Sequence, residues 1–191
     1  MTPLEALRQS LPEFAKDIRL NIGSVLVSDS GTELTPTQKW GSAISAAVAC
    51  RNLQLLRAVE VHAAQYVDET VGAAARRAAA LMGITNVYYR AVHMSGDEAL
   101  SQLPAGLRMT GLIQHGVPQA DFELFGLAAS VIKGCEGCIK AHVRSAKEHG
   151  VRTENVQAVL KIAAVLHGTA KVLESLPHTD ELQPADASGG A

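Results

Sequence analysis

Hydroxyl side chains followed by a proline and then, three residues on, by an acid or amide mark where this chain begins helices. They are Thr2 with Pro3 and Glu5, Ser10 with Pro12 and Glu13, and Thr35 with Pro36 and Gln38. Such a triplet satisfies amide groups that a helix start leaves without partners, so it commits the residues that follow to helix. Further starts are predicted near Asp68, Asp97, Asp121, Gly134 and Thr153, and stops at Gly83, Gly116, Gly150 and Gly168. Apolar residues make up 47% of the chain and aromatics only 4%. The excess is largely Ala, Leu and Val, which suits close-packed helices better than sheets. Residues 86–89 have a strand-like composition, but nothing nearby could pair with them. The expected fold class is all-α, a bundle of eight or more helices with short connections.

A shift of 85 residues superposes Gly41 on Gly126, Ala43 on Ala128, Ser45 on Ser130, Cys50 on Cys135, Glu69 on Glu154 and Val71 on Val156, and also matches Ala73, Ala78, Ala79, Leu81 and Gly83. These eleven identities over the 43 positions from 41 to 83 compare with about four expected by chance in so Ala-rich a chain. They point to a duplicated helical unit, with halves at about 35–84 and 120–169. At the same offset Leu53 faces Cys138, Arg57 faces His142 and Gln38 faces Glu123, so only the second half keeps the chemistry. Residues 1–176 are expected to form one all-helical domain, and the polar, Pro- and Gly-punctuated stretch 177–191 a mobile tail.

Seventeen Lys and Arg stand against nineteen Asp and Glu, a formal charge of -2 with neither sign in a block. That balance offers no footprint for nucleic acid or an anionic membrane. MTPLEALRQS carries no basic region followed by an apolar run, and no stretch looks long and apolar enough to span a bilayer, so a cytoplasmic location is expected. Three cysteines are an odd count without an export signal. A disulfide framework is disfavoured, and a functional or metal-binding role for the close pair gains weight.

The informative stretch is DFELFGLAASVIKGCEGCIKAHVRSA, residues 121–146. Cys135 and Cys138, three apart at a helix start, share a face and can close a disulfide. The positive end of that helix favours a thiolate, most directly at Cys135. His142 lies one turn beyond Cys138 on the same side, where an imidazole can accept the thiol proton. Glu123 comes back into reach if the chain reverses at Gly134: eleven residues up one helix is about 16 Å and eight down the next about 12 Å, so Glu123 and His142 end near one level. A relay of Glu123, His142, Cys138 and Cys135 would let one thiolate attack an O–O bond, become a sulfenic acid, and condense with the neighbouring thiol to a disulfide and water. Another dithiol must then reopen it. A zinc site is the competing reading of C-x-x-C, but His142 and His149 are about 10.5 Å apart along a helix axis, too far to share one ion.

At these residues the chain resembles the alkylhydroperoxidase D family of the carboxymuconolactone decarboxylase-like superfamily. Its motif is a Glu, a C-x-x-C about a dozen residues later, and a His four after the second Cys. The resemblance covers residues 3–176 and is closest around DFELFGLAASVIKGCEGCIKAH. It implies an all-helical oligomer, commonly a homotrimer, that reduces organic hydroperoxides and holds no tightly bound cofactor. By this resemblance Cys138 forms the sulfenic acid and Cys135 donates a proton and resolves. Electrons would come from dihydrolipoamide on a lipoylated 2-oxoacid dehydrogenase acyltransferase, and a partner peroxiredoxin could receive them. One departure is Gly137, where well-studied members carry a His; its absence is expected to alter rate more than reaction.

Three other functions compete with the peroxidase. A disulfide carrier would reduce a partner peroxiredoxin without turning over peroxide itself. A ring-lactone decarboxylase rests on fold analogy alone. A helical interaction module would leave the cysteines incidental. Cys50, in the apolar run AISAAVAC, reads as an inert core thiol. His115 and His149 read as helix-end histidines, His62, His93, His167 and His178 have no visible partners, Trp40 and Phe125 read as core, and Arg76 and Arg77 as solvated.

Overall fold

A computed structural model describes residues 1–28 and 33–176. The expected tail 177–191 lies outside the described residues. Among them are nine α-helices and no strand: α1 (Pro3–Ser10), α2 (Lys16–Ile22), α3 (Pro36–Cys50), α4 (Leu53–Ala63), α5 (Glu69–Ser95), α6 (Glu98–Gln102), α7 (Gln119–Lys133), α8 (Glu136–Glu148) and α9 (Thr153–Ser175). The all-α expectation holds, and residues 86–89 lie inside α5.

The capping chemistry is realised at Thr2 and Thr35, each with a reciprocal bond from Glu5 or Gln38, and Asp68 and Asp97 cap α5 and α6. Ser10 differs. Its hydroxyl bonds back to the Leu7 carbonyl at 2.8 Å, so it closes α1 instead of opening the next helix. α7 starts at Gln119, just before the expected Asp121, because Pro118 sets the extended residue ahead of it. Gly83 and Gly168 do not end helices. α5 runs through Gly83 because a helical glycine costs only about 1 kcal/mol, less than the buried face Ala75, Ala79 and Met82 supplies. Gly168 sits inside α9 where a Cβ would come within 2.9 Å of the Ile18 side chain, so it serves close packing of α2 on α9.

α3 and α7 form the centre. α7 is apolar on nearly all sides, with Phe122, Leu124, Phe125 and Leu127 fully buried, as a helix must be when packed on every side. It meets α3 closely: a Cβ on Gly41 would lie 2.2 Å from the Phe125 ring, and Ser45 Oγ donates to the Phe125 carbonyl at 2.7 Å. α5, α8 and α9 pack around this pair, and α1 covers α4. α3, α4 and α5 are 15, 11 and 27 residues long, and α7, α8 and α9 are 15, 13 and 23, the order of lengths a duplicated unit would show.

One expectation needs amending. α9 is long and apolar enough by composition to cross a membrane, but just over half of its most apolar window is buried, against α3 and α7. Its apolar face is that of a core helix. Trp40 and Phe125 are core residues as expected. Arg77 is exposed as expected while donating to the Gln114 carbonyl at 2.8 Å, and the part-exposed Arg76 bridges Glu60 at 2.6 Å and also Glu69.

Candidate active site

The chain turns sharply between α7 and α8. Gly134 closes α7 with φ of 64°, a left-handed conformation that a Cβ would strain. Cys135 then takes the extended N-cap position of α8, so the helix starts at Glu136, two residues beyond the expected start at Gly134. Arg90 of α5 donates to the Lys133 carbonyl and ties the third helix to this corner. The reversal lays α8 alongside α7 and places Cys138 in its first turn and His142 in its second.

Glu123 and His142 meet there. His142 Nδ1 donates to Glu123 Oε2 at 2.6 Å, and both side chains are 13% exposed. Gln119 Nε2 donates to the other carboxylate oxygen at 2.7 Å, and Ser145 lines the same cavity. On the far side of the imidazole, Nε2 lies 3.0 Å from Met82 Sδ of α5. Cys135 and Cys138 are free thiols, 1% and 8% exposed.

Two cavities flank the dithiol. The larger, about 620 Å³, is lined by Met82, Thr85, Tyr89, Leu112 and Phe122 together with Glu123, Cys138 and His142, and its walls are mostly apolar. The smaller, about 280 Å³, reaches Cys135 from the other side among Arg90, His93 and Lys140. Cys138 therefore shares its cavity with the His142 and Glu123 pair, and Cys135 does not.

Burial pushes the Cys138 thiol up to about 12, and the neighbouring Cys135 sulfur adds to this. The residue's own backbone N–H and the Arg90 guanidinium pull weakly the other way. The helix start thus does not make Cys138 a resting thiolate, because desolvation outweighs the helix field in so closed a corner. Burial raises Glu123 too, but the bonds from His142 and Gln119 outweigh it and hold the carboxyl below its usual range. The result is an ionised carboxylate bonded to the imidazole and a protonated thiol lining the same cavity.

The carboxymuconolactone decarboxylase family pattern matches residues 98–181. The alkyl hydroperoxide reductase AhpD of Rhodospirillum centenum is 49% identical over 172 residues, which covers 90% of this chain and 91% of that protein. The protein of the same name from Anaeromyxobacter dehalogenans is 42% identical over 189 residues, 99% of this chain and 100% of that one. This chain belongs to the alkylhydroperoxidase D family.

In this member of the family, residues the sequence did not single out complete the site. Gln119 is four residues before Glu123, a helical spacing that was available to be read. Ser145 follows His142 by three. Met82 carries no local signal, since sixty residues separate it from the imidazole it touches. His115 is no helix-end residue: it precedes α7, is buried, and bonds to Gln119. His62 also has a partner, with Nδ1 2.9 Å from the Thr2 hydroxyl. His149 instead bonds the Ser145 carbonyl at the end of α8. Cys50 is partly buried and, like Cys138, raised by burial, to about 11. At Gly137 a Cβ would meet nothing within 4 Å.

Proposed function

We propose that this family member is an antioxidant thiol peroxidase that reduces alkyl hydroperoxides through Cys135 and Cys138. The observation that carries the reading is that Cys138, His142 and Glu123 line one largely apolar cavity while Cys135, three residues earlier, lines the cavity next to it. An alkyl or aryl hydroperoxide would bury its chain against Leu112, Phe122 and Tyr89 and present its O–O bond to Cys138.

His142 Nε2 takes the Cys138 proton as Sγ attacks the outer peroxide oxygen. The O–O bond breaks, the alkoxide leaves, and the proton passes to it as the alcohol departs, leaving Cys138 as a sulfenic acid. Because Cys138 is protonated at rest, a base acting at the moment of attack is what the reaction lacks without His142. Glu123 steadies the imidazolium, and Met82 Sδ offers the protonated Nε2 a soft acceptor. The Cys135 thiol then displaces hydroxide from Cys138, forming the disulfide and releasing water. A dithiol reopens it and is oxidised to its own disulfide.

The resemblance of the residue 121–146 motif to the family's supports the rest of the reading: dihydrolipoamide on a lipoylated acyltransferase as reductant, a homotrimeric assembly, and a cytoplasmic location. A peroxidase assay with cumene hydroperoxide, run with dihydrolipoamide, thioredoxin or glutathione, tests it. Dihydrolipoamide should sustain turnover best. A reduced protein that consumes the peroxide no faster than free cysteine would be a disulfide carrier to a partner peroxiredoxin, and the peroxidase reading would fall.

A further inference from the structure

We infer that Gln119 and His115 are positioning residues that set the tautomer of His142, leaving the lone pair on Nε2, the nitrogen 3.0 Å from Met82 Sδ, to take a proton from Cys138. The inference deepens the peroxidase reading and rests on it for its kinetic arm only.

The series of bonds begins at a backbone group whose direction is fixed. The Val117 N–H donates to His115 Nδ1 at 3.4 Å, so Nδ1 is an acceptor. The proton of a neutral imidazole must then sit on Nε2. That nitrogen lies 3.0 Å from Gln119 Oε1 and donates to it. With its oxygen so engaged, the Gln119 amide turns its NH₂ group to Glu123 Oε1, 2.7 Å away. An ionised carboxylate only accepts, so both ends of the amide dictate the same orientation. Glu123 Oε2 in turn accepts from His142 Nδ1 at 2.6 Å, which puts the imidazole proton there and the lone pair on Nε2.

Three donor-to-acceptor links thus run from a backbone amide to Glu123, which accepts from His142 at its other oxygen. His115 is held firmly: it is buried and stacks on Phe122 with ring centres 4.1 Å apart and planes 11° apart. Gln119 acts through Glu123 and not on the peroxide. Removing its amide leaves one carboxylate oxygen short of a donor in a half-buried place and frees the group to turn. His142 then loses the partner geometry that selects one tautomer.

Long-range ¹⁵N–¹H correlation spectra of the reduced protein, labelled at histidine, distinguish the two tautomers of His142. The wild-type protein should show the Nδ1–H form. Gln119→Leu and His115→Phe, the latter keeping the stack on Phe122, should show the two forms mixed. Gln119→Glu, which offers no donor to Glu123, should show the same. With cumene hydroperoxide, kcat should fall about tenfold in each variant while KM stays within about twofold. An Nε2–H tautomer in the wild-type protein overturns the inference whether or not any variant folds. An unchanged Nδ1–H form in folded Gln119→Leu and His115→Phe overturns it as well. If the wild-type protein consumes no peroxide but its tautomer responds to Gln119→Leu, the peroxidase reading fails and the inference stands.

Discussion

Gly126 of α7 lies directly against the imidazole of His142: a methyl group in place of its hydrogen would sit 2.6 Å from Cε1 and 2.9 Å from Nε2. No other residue fits there without moving the ring off Glu123. Gly126→Ala should therefore cut peroxide turnover by about tenfold or more while costing about 1 to 3 kcal/mol of stability. Steady-state kinetics beside thermal unfolding check this, and a folded variant with wild-type kcat would show that the ring's placement is not needed.

Cys135→Ser and Cys138→Ser should each abolish turnover, and Cys50→Ser should leave it nearly intact, since Cys50 lies outside both cavities around the dithiol. Mass spectrometry of peroxide-treated wild-type protein should find residues 135 and 138 joined. Loss of turnover in a folded Cys50→Ser protein would contradict the assignment.

With its thiol raised to about 12, Cys138 is protonated at neutral pH. Its alkylation by iodoacetamide should be slow at pH 7 and rise about tenfold per pH unit into the alkaline range. Peptide mapping of the alkylated protein follows this site by site. A rate that levels off near pH 7 would mean a resting thiolate, and the need for His142 as base would disappear.

Glu123 has its carboxyl held below the ordinary 4.5 in the folded protein. The stability this contributes is present above that ordinary value and is lost as pH falls through the lower folded one. Glu123→Gln should thus be less stable than wild type by about 1 kcal/mol at pH 7, with the gap closing in acid, and should lose most of its turnover. Urea unfolding at the two pH values measures the gap; a gap that widens in acid would refute the sign.

The helical class, most helix starts and the four residues Glu123, Cys135, Cys138 and His142 were legible because they depend on short spacings. Caps act within three residues, Cys138 and His142 are one turn apart, and a single reversal at Gly134 brings Glu123 back by simple helix arithmetic. A glycine's local meaning is overridden at two positions: Gly83 and Gly168 look like stops, yet packing along α5 and between α2 and α9 carries the helices through them.

What the sequence determined by itself is the set of candidate reacting groups and the helices that carry them, since both follow from neighbours along the chain. Only the tertiary structure decided their state: which sulfur faces the cavity of His142, how strongly burial protonates Cys138, that Met82 backs the imidazole, and that His115 and Gln119 steady the carboxylate behind it. Those properties depend on desolvation and on contacts between helices distant in sequence, which no local pattern encodes.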